Sequence, residues 1–174
     1  MSYEQKEQSL VLQDLGLLPW KTVWENAILG LKLRGSKDFS QAQRLLEQLD
    51  LDQMNDRYPP QLSGGQQRRL GLVRSLAVNP KVLLMDEPLV SLDEFTRENL
   101  QDVILDLWNG SDLTSVMVTH NLEEAVFLGE RIAVLSPMPA LVRAVMPNFS
   151  MGDPNYRRSE EFYDKLKQLR GYFS

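Results

Sequence analysis

The sequence predicts an α/β fold with a parallel-sheet core and a helical subdomain. Continuous apolar runs at residues 82–85 and 114–119 are bounded by turn signals, which is typical of strands buried on both faces of a sheet. Segments with helical spacing of apolar residues separate these runs, and such an alternation favours a parallel sheet. Three further helical patterns between residues 19 and 78 indicate a separate helical block.

The first half of the chain leads from a strand into this block. Residues 9–13 form a short apolar run, and Pro19 interrupts the apolar segment that follows. Helices are predicted for residues 23–33, 39–49 and 66–78, with a loop at residues 56–60. We expect residues 19–78 to be a helical subdomain within a single domain of residues 1–174.

The second half alternates strand and helix after a turn at Asn79-Pro80. A helix is predicted for residues 92–108, and another for residues 121–128, where Asn121 and Glu124 have the spacing of a capping box. Strands are predicted at residues 82–85, 114–119, 131–136 and 141–146. Residues 9–18 and 79–146 would form the α/β core, and residues 147–174 a tail with a helix at residues 160–169.

Composition excludes several classes of function. The chain has 174 residues, a net charge of −5 and no cysteine, so disulfides and thiolate metal sites are excluded. The single histidine, His120, excludes a multi-histidine metal site. The acidic balance disfavours nucleic acid as a partner. There is no apolar run of about 20 residues and the N-terminus is too polar for a signal peptide, so a soluble, cytoplasmic protein is expected.

The segment QLSGGQQRRL at residues 61–70 has the pattern of a phosphate-contacting helix start. Ser63 is a candidate N-cap, and the first amides of a helix have no partner within the helix. Gly64 and Gly65 allow an anion to approach those amides closely. The plain alternative is that Ser-Gly-Gly is only a turn.

Acidic and imidazole side chains follow two of the predicted strands. Asp86 and Glu87 end one strand and His120 ends another, and ligands collect beyond the carboxyl ends of parallel strands. Asp86 suits Mg²⁺, Glu87 suits an attacking water, and His120 suits a terminal phosphate. The pattern predicts a phosphoryl-transfer site, although an isolated Asp-Glu-Pro is more often a strand-end turn and an isolated histidine more often a structural residue.

Other residues carry weaker signals. Gln13 has no distinguishing feature of its own. Arg68 and Arg69 are interpreted as a solvated helix face or, failing that, a docking surface. Trp20 and Trp24 are interpreted as packing residues, and the functional alternative is a hydrophobic groove for a partner helix.

Four motifs together resemble the ATP-binding-cassette (ABC) ATPases, a class of P-loop NTPase. They are LSGGQ at residues 62–66, VLLMDEP at 82–88, SLD at 91–93 and VTHNLEEA at 118–125. The resemblance covers residues 9–136. The stretch QDLGLLPWKTVWENAILGLKLRG further resembles importer subunits of the nitrate/sulfonate/taurine group.

The resemblance implies a role for each matching position, with ATP and Mg²⁺ as cofactors. Gln13 matches the Q-loop glutamine, which senses Mg²⁺ and the γ-phosphate, and Asp93 matches the D-loop aspartate. Asp86 matches the Walker B aspartate that holds Mg²⁺, Glu87 the catalytic glutamate and His120 the switch histidine. Ser63, Gly64, Gly65 and Gln66 match the signature loop, which contacts ATP held by the opposite subunit of a dimer.

The family's Walker A loop, GxxxxGK(S/T), occurs nowhere in the sequence. We therefore expect a truncated cassette without the N-terminal β subdomain and the Walker A strand, inactive as an ATPase on its own. A split gene, an expressed fragment and a degenerate subunit all fit this pattern. Missing an inner strand leaves unpaired strand edges, which predicts self-association or strand exchange. A monomer at high concentration by light scattering would contradict it.

Three functions fit the motifs to different degrees. The first is the ATPase component of an ABC importer, at the inner face of the cell membrane, docked on a permease through the helical subdomain and Q-loop and paired with a second ABC ATPase subunit. The second is a non-catalytic assembly module that offers LSGGQ in trans to an intact ABC partner. A DNA-repair ATPase is disfavoured, because Leu62 follows Gln13 by only 49 positions, which leaves no space for a long coiled coil. The transported solute cannot be read from the sequence.

Overall fold

The computed structural model describes residues 8–11, 15–90, 92–109, 112–153 and 155–173. The chain divides into two compact units, residues 1–118 and residues 119–174, and each is described on its own. The predicted boundaries at residues 18, 78 and 146 divide the chain differently and stay a prediction. Within these described ranges, no helix combines the length and the apolar character needed to cross a membrane.

The first unit contains a three-stranded parallel sheet in the order β1-β2-β3. Its strands are β1 (Gln8–Val11), β2 (Val82–Asp86) and β3 (Thr114–Val118). In the register of the sheet, Leu10, Leu84 and Val116 lie side by side. The parallel core predicted from the strand–helix alternation is therefore confirmed for these three strands.

The two faces of this sheet differ in burial. Leu83 and Met85 on one face are 1% and 3% exposed, whereas Leu84 and Val116 on the other face are 40% and 54% exposed. The prediction that β2 and β3 are buried on both faces is therefore wrong. The strand order gives the reason, because neighbouring strands joined in sequence by right-handed crossovers carry their connections on the same face.

The first unit also contains five helices among its described residues. They are α1 (Val23–Ala27), α2 (Leu29–Leu33), α3 (Ser40–Gln48), α4 (Gly64–Leu76) and α5 (Glu94–Asn109), with 3₁₀ turns at Asp52–Met54 and Pro59–Gln61. Helices α1, α2 and α3 pack on α4, and α4 packs on β1. Helix α4 is thus the central element between the helical block and the sheet.

The helix predicted for residues 23–33 is in fact two helices. Ile28 separates them with a ψ of 1°, outside the α-helical range. Gly30 then brings α2 close to the end of α4, where a Cβ on residue 30 would lie 2.5 Å from Val78 Cγ1. Only glycine allows this approach without displacing Val78.

The second unit contains a two-stranded antiparallel sheet and two helices. The strands are β4 (Arg131–Leu135) and β5 (Val142–Pro147), and the helices are α6 (Leu122–Leu128) and α7 (Glu160–Arg170), with a 3₁₀ turn at Tyr156–Arg158. The sequence predicted β4 as a further strand of the parallel sheet. In the described residues β4 pairs with β5 instead, so that prediction is wrong. The connection at residues 136–141 is short enough for a hairpin and too short for a parallel crossover.

A buried asparagine fixes helix α6 within the second unit. The side-chain amide of Asn148, which is fully buried, donates to the carbonyls of Val126 and Gly129 at 2.7 and 2.9 Å. Its Oδ1 accepts a hydrogen bond from the Tyr156 hydroxyl at 2.7 Å, and burial raises the pKa of that hydroxyl. Since α7 also packs on α6, the helix that follows His120 is held firmly from its far end.

Candidate functional site

The signature segment begins α4 with a capping box. Ser63 is the N-cap, and its Oγ accepts a hydrogen bond from the Gln66 amide at 3.3 Å. The Gln66 side chain returns the bond by accepting from the Ser63 amide at 2.9 Å. The predicted N-cap is therefore confirmed. The first turn of α4 contains no acidic residue, so no side-chain charge there offsets the positive end of the helix.

The two glycines of the segment differ in their surroundings. A Cβ on Gly64 would meet no atom within 4 Å, and one on Gly65 would make only ordinary contacts, the nearest at 3.6 Å from Leu92 Cδ2. Neither glycine is among the described residues with a positive φ. Neither packing nor backbone conformation within the chain requires glycine at these positions, and Gly64 leaves room for a group from outside the chain.

Asp86 and Glu87 lie where the sequence predicts, at the carboxyl end of β2. Asp86 is the last residue of the strand and its side chain is exposed. Glu87 has a φ of 46°, a conformation that costs energy for any residue with a Cβ. Its amide donates to the carbonyl of Val118 at the end of β3, at 2.9 Å. Two strand ends thus fix the backbone of Glu87.

Arg68 links the signature helix to Glu87. Its Nη1 donates to the Glu87 carbonyl at 3.4 Å. Burial lowers the pKa of Arg68, and the nearby carboxylate of Glu87 opposes that effect. Arg69 Nη1 donates to the carbonyl of Leu49 at 2.9 Å. The interpretation of both arginines as a solvated face is therefore wrong, because a helix pattern alone does not reveal which long side chains reach back to a neighbouring backbone.

Asp93 shapes the turn that leads into α5. Its Oδ1 accepts a hydrogen bond from the Thr96 amide at 2.9 Å, and this bond holds the pKa of Asp93 below its usual value, since it favours the ionised carboxylate. Arg97 Nη2 donates to the carbonyl of Leu92 at 2.8 Å. Leu92 and Thr96 are also the nearest neighbours of Gly65. The first unit therefore brings the signature segment, Glu87 and Asp93 together.

Gln13 lies outside the described residues, but the residues on both sides of it are held by α4. The Ser75 hydroxyl donates to the carbonyl of Leu10 at 3.2 Å. Arg74 Nη2 donates to the carbonyl of Leu15 at 2.6 Å, and Nη1 donates to the carbonyl of Gly16. The helix that begins at the signature segment thus also holds the backbone of Leu10, Leu15 and Gly16. No pattern in the sequence indicated this role of Arg74.

His120 belongs to the second unit, and along the chain it lies between β3 and α6. Asn121 caps α6, its Oδ1 accepting from the amides of Glu123 and Glu124 at 2.9 and 3.3 Å. A complete capping box would also have the Glu124 carboxylate accept from the Asn121 amide. Instead, the Glu124 carboxylate accepts a hydrogen bond from the Thr119 hydroxyl at 2.7 Å. The meeting of His120 with Asp86 and Glu87 at one rim stays a prediction.

The two tryptophans near residue 20 have different environments. Trp24 packs edge-on against Phe39 with ring centroids 6.1 Å apart, which confirms a packing role. Trp20 is 70% exposed, so the packing interpretation is wrong for it. The fully buried Asn26 ties down the loop that carries Trp20, through bonds to Leu18, Lys21 and Thr22. An exposed tryptophan on a well-fixed loop fits the alternative of a partner surface.

The described carboxylates suit an Mg²⁺ site in which water and phosphate oxygens supply most of the ligands, rather than one made of protein side chains alone. Among the described residues no group of three or more His, Cys, Asp or Glu side chains converges on one point. Mg²⁺ bound with nucleotides usually takes one or two protein ligands and completes its shell with water and phosphate oxygens. An exposed carboxylate at a strand end, as Asp86 provides, suits that arrangement.

The comparisons with known proteins identify the class of protein that this fold and site define. A family model described as "ABC transporter" matches residues 1–90, and the chain belongs to this family. The fold matches the dimeric ATP-binding cassette MJ0796, in a post-hydrolysis state with ADP and Pi, with a TM-score of 0.72 and 33% identity over 81% of this chain and 62% of that one. Another dimeric structure of MJ0796, a bacterial ABC transporter cassette, matches with a TM-score of 0.73 and 31% identity over 82% of this chain and 64% of that one.

Among named relatives, the chain is similar to taurine import ATP-binding proteins. It is 41% identical to TauB of Escherichia coli O157:H7 over 148 residues, which are 83% of this chain and 58% of the relative. It is 44% identical to TauB of Pseudomonas putida over 139 residues, which are 78% of this chain and 53% of the relative. The chain thus spans little more than half the length of the relatives it matches.

Proposed function

We propose that the chain is the nucleotide-binding, ATP-hydrolysing component of an ABC-type importer and couples ATP hydrolysis to solute transport. The observation that carries the proposal is the start of α4, where Gly64 is open, Gly65 lies beside Leu92 and Thr96 of the Asp93 turn, and Arg68 links the helix to Glu87. This arrangement supports the proposal, because amides at a helix start can contact phosphate and a nearby carboxylate can orient an attacking water.

Each residue of the site has a proposed task. The amides of Gly64 and Gly65, with the Ser63 cap, contact phosphate oxygens of ATP held by a second subunit. Asp86 and Gln13 supply oxygen ligands toward Mg²⁺. Glu87 orients or deprotonates the attacking water, and His120 donates to the terminal phosphate. When bound, Mg-ATP would supply the transferable phosphoryl group and the charges with which these side chains interact.

The alternative is a non-catalytic assembly module that offers LSGGQ in trans. The space in front of Gly64 is free of contacts from its own chain. This observation favours a role completed by a partner subunit that carries its own phosphate loop. The two functions differ in whether this polypeptide contributes Glu87 and His120 to turnover.

The proposed partners are a membrane permease and a second ABC ATPase subunit, which would place the chain at the inner face of the cell membrane. Trp20, exposed on a loop that Asn26 fixes, offers an apolar anchor for a permease helix. The helical subdomain and the adjoining Q-loop would transmit that docking to Gln13. The relatives' names make taurine the first solute to test.

The test measures Mg-ATP binding by calorimetry, for the chain alone and mixed with an intact taurine-type ABC ATPase. We expect no binding by the chain alone and ATP-dependent pairing in the mixture. Gly65→Asp should abolish pairing, because it places a carboxylate against the phosphates, whereas Glu87→Gln should preserve pairing and abolish the chain's share of turnover. Turnover unaffected by Glu87→Gln favours the assembly module. Micromolar ATP binding by the chain alone, retained in Gly65→Asp, would contradict the trans site.

A further inference from the structure

Three residues in a row connect β3 to α6, and His120 is the middle one. Thr119 precedes it and Asn121 follows it. Any motion of these two neighbours changes the position of the imidazole, because a side chain in a connecting segment is placed by the backbone on both sides of it. The geometry of Thr119 and Asn121 therefore determines how well His120 is positioned.

One hydroxyl group closes a ring of hydrogen bonds around His120. The Thr119 hydroxyl donates to Glu124 Oε2 at 2.7 Å and accepts from the Asn121 amide at 3.0 Å. Asn121 Oδ1 in turn accepts from the Glu124 amide at 3.3 Å. The ring Thr119–Glu124–Asn121 therefore fixes the residue before His120 and the residue after it to the same turn of α6.

Glu124 occupies an unusual place for a carboxylate. Its residue is only 3% exposed, although charged side chains are seldom buried unless they have a partner. The adjacent Glu123 is exposed. Only its backbone amide bonds to Asn121, and its carboxylate takes no part in that hydrogen bond. Glu124 is buried and its neighbour Glu123 is not. This difference indicates a specific role for the Glu124 side chain, beyond that of a surface acid at the start of a helix.

We propose that Thr119 and Glu124 are positioning residues that hold His120 ordered for its contact with phosphate. The hydroxyl has a single proton, so a strong acceptor at Glu124 directs that proton away from Asn121 and leaves the oxygen lone pair for the Asn121 amide. A carboxylate buried in the first turn of α6 is also favoured by the helix dipole. The functional meaning of this order rests on the proposed function, but the order itself does not depend on nucleotide.

The single histidine makes the test direct. In the ¹⁵N-labelled 174-residue chain, the backbone order parameter of His120 is measured by NMR relaxation, without nucleotide. We expect about 0.85 in the wild type and a fall below about 0.6 in Thr119→Val and in Glu124→Ala. Thr119→Ser and Glu124→Gln keep a hydroxyl and an acceptor, so both should retain the wild-type value. The matched control Glu123→Gln should change nothing.

The outcomes separate positioning from folding and from catalysis. The amides of α7 report whether the second unit stays folded in each variant. An unchanged His120 order parameter in folded Thr119→Val and Glu124→Ala would overturn the proposal, as would a loss of order in Thr119→Ser. If Thr119→Val and Glu124→Ala unfold, the Thr119→Ser value alone decides. A failure of the proposed ATPase role would leave these values unaffected, so the two failures are distinguishable.

Discussion

Helices α1 and α4 begin with the same device in two different settings. Thr22 and Glu25 form a capping box at α1, and Ser63 and Gln66 form one at α4. At α1 the residues after the cap are buried, including Val23 and the fully buried Asn26. At α4 the cap is followed by Gly64, which faces open space, and by Gly65, which has only ordinary contacts with Leu92 and Thr96. The same local bonds therefore support a packed corner in one place and an accessible surface in the other.

The third residue of each helix explains the difference in electrostatic terms. Glu25 puts a negative charge at the positive end of α1, and Lys21 lies 3.7 Å from that carboxylate. Gln66 makes the same hydrogen bond without a charge, so the positive end of α4 remains available to an external anion. A capping box by itself does not identify a binding site. Its charge and the residues that follow it do.

The largest expected effect comes from breaking the packed corner at α1. Asn26→Ala removes four hydrogen bonds to backbone groups of Leu18, Lys21 and Thr22 and leaves part-buried donors and acceptors unsatisfied. We expect the free energy of unfolding to fall by about 3 kcal/mol, measured by urea denaturation. Gln43→Ala, which removes one exposed bond to Glu47, is the control and should change it by less than about 0.5 kcal/mol. Equal effects of the two substitutions would contradict the structural importance of the corner.

Much of the fold could be predicted from the sequence, because its signals are local. Apolar runs bounded by turns located β2 and β3, and Ser63 marked the start of α4. The bare face of the sheet and the pairing of β4 with β5 were not predicted. Both depend on connection geometry: right-handed crossovers leave Leu84 and Val116 uncovered, and a short loop turns β5 back on β4.

The positions of the candidate carboxylates in the fold could be predicted, whereas the contacts that support them could not. Asp86 and Glu87 could be located because a carboxylate after a buried strand has a distinctive context. Arg68 and Thr119 could not, because their roles depend on a carbonyl 19 residues away and on a carboxylate in the next helix. Side chains that hold functional residues in place leave no pattern in a single sequence, since their partners are brought to them only by folding.

A smaller effect, of opposite sign, is expected at the open start of α4. Gly64→Ala adds a methyl group that touches nothing within the chain and reduces the backbone freedom of the unfolded state. We expect the free energy of unfolding to rise by about 0.5 kcal/mol in urea denaturation, while ATP-dependent pairing with an intact ABC subunit weakens. Gly30→Ala is the contrasting control and should destabilise, since its Cβ would lie 2.5 Å from Val78. Unchanged pairing in Gly64→Ala would show that nothing outside the chain approaches this glycine.

The smallest effect is a pH dependence that distinguishes the two capping boxes. The hydrogen bond from the Thr22 amide holds the pKa of Glu25 below its ordinary value of 4.5, with Lys21 adding to the effect and partial burial opposing it. A carboxylate whose pKa is lowered on folding stabilises the protein above its ordinary pKa, and this contribution disappears as the pH falls through the lowered value. The stability difference between the wild type and Glu25→Gln should therefore be present at pH 7 and shrink below about pH 4.5.

Gln66→Glu should introduce the same dependence at α4 and, by occupying the positive end of that helix, weaken pairing at neutral pH. Urea denaturation of the three proteins between pH 3 and pH 7 measures this. A pH-independent difference for Glu25→Gln would mean that the α1 box depends on its geometry alone, and that charge does not separate the two helix starts.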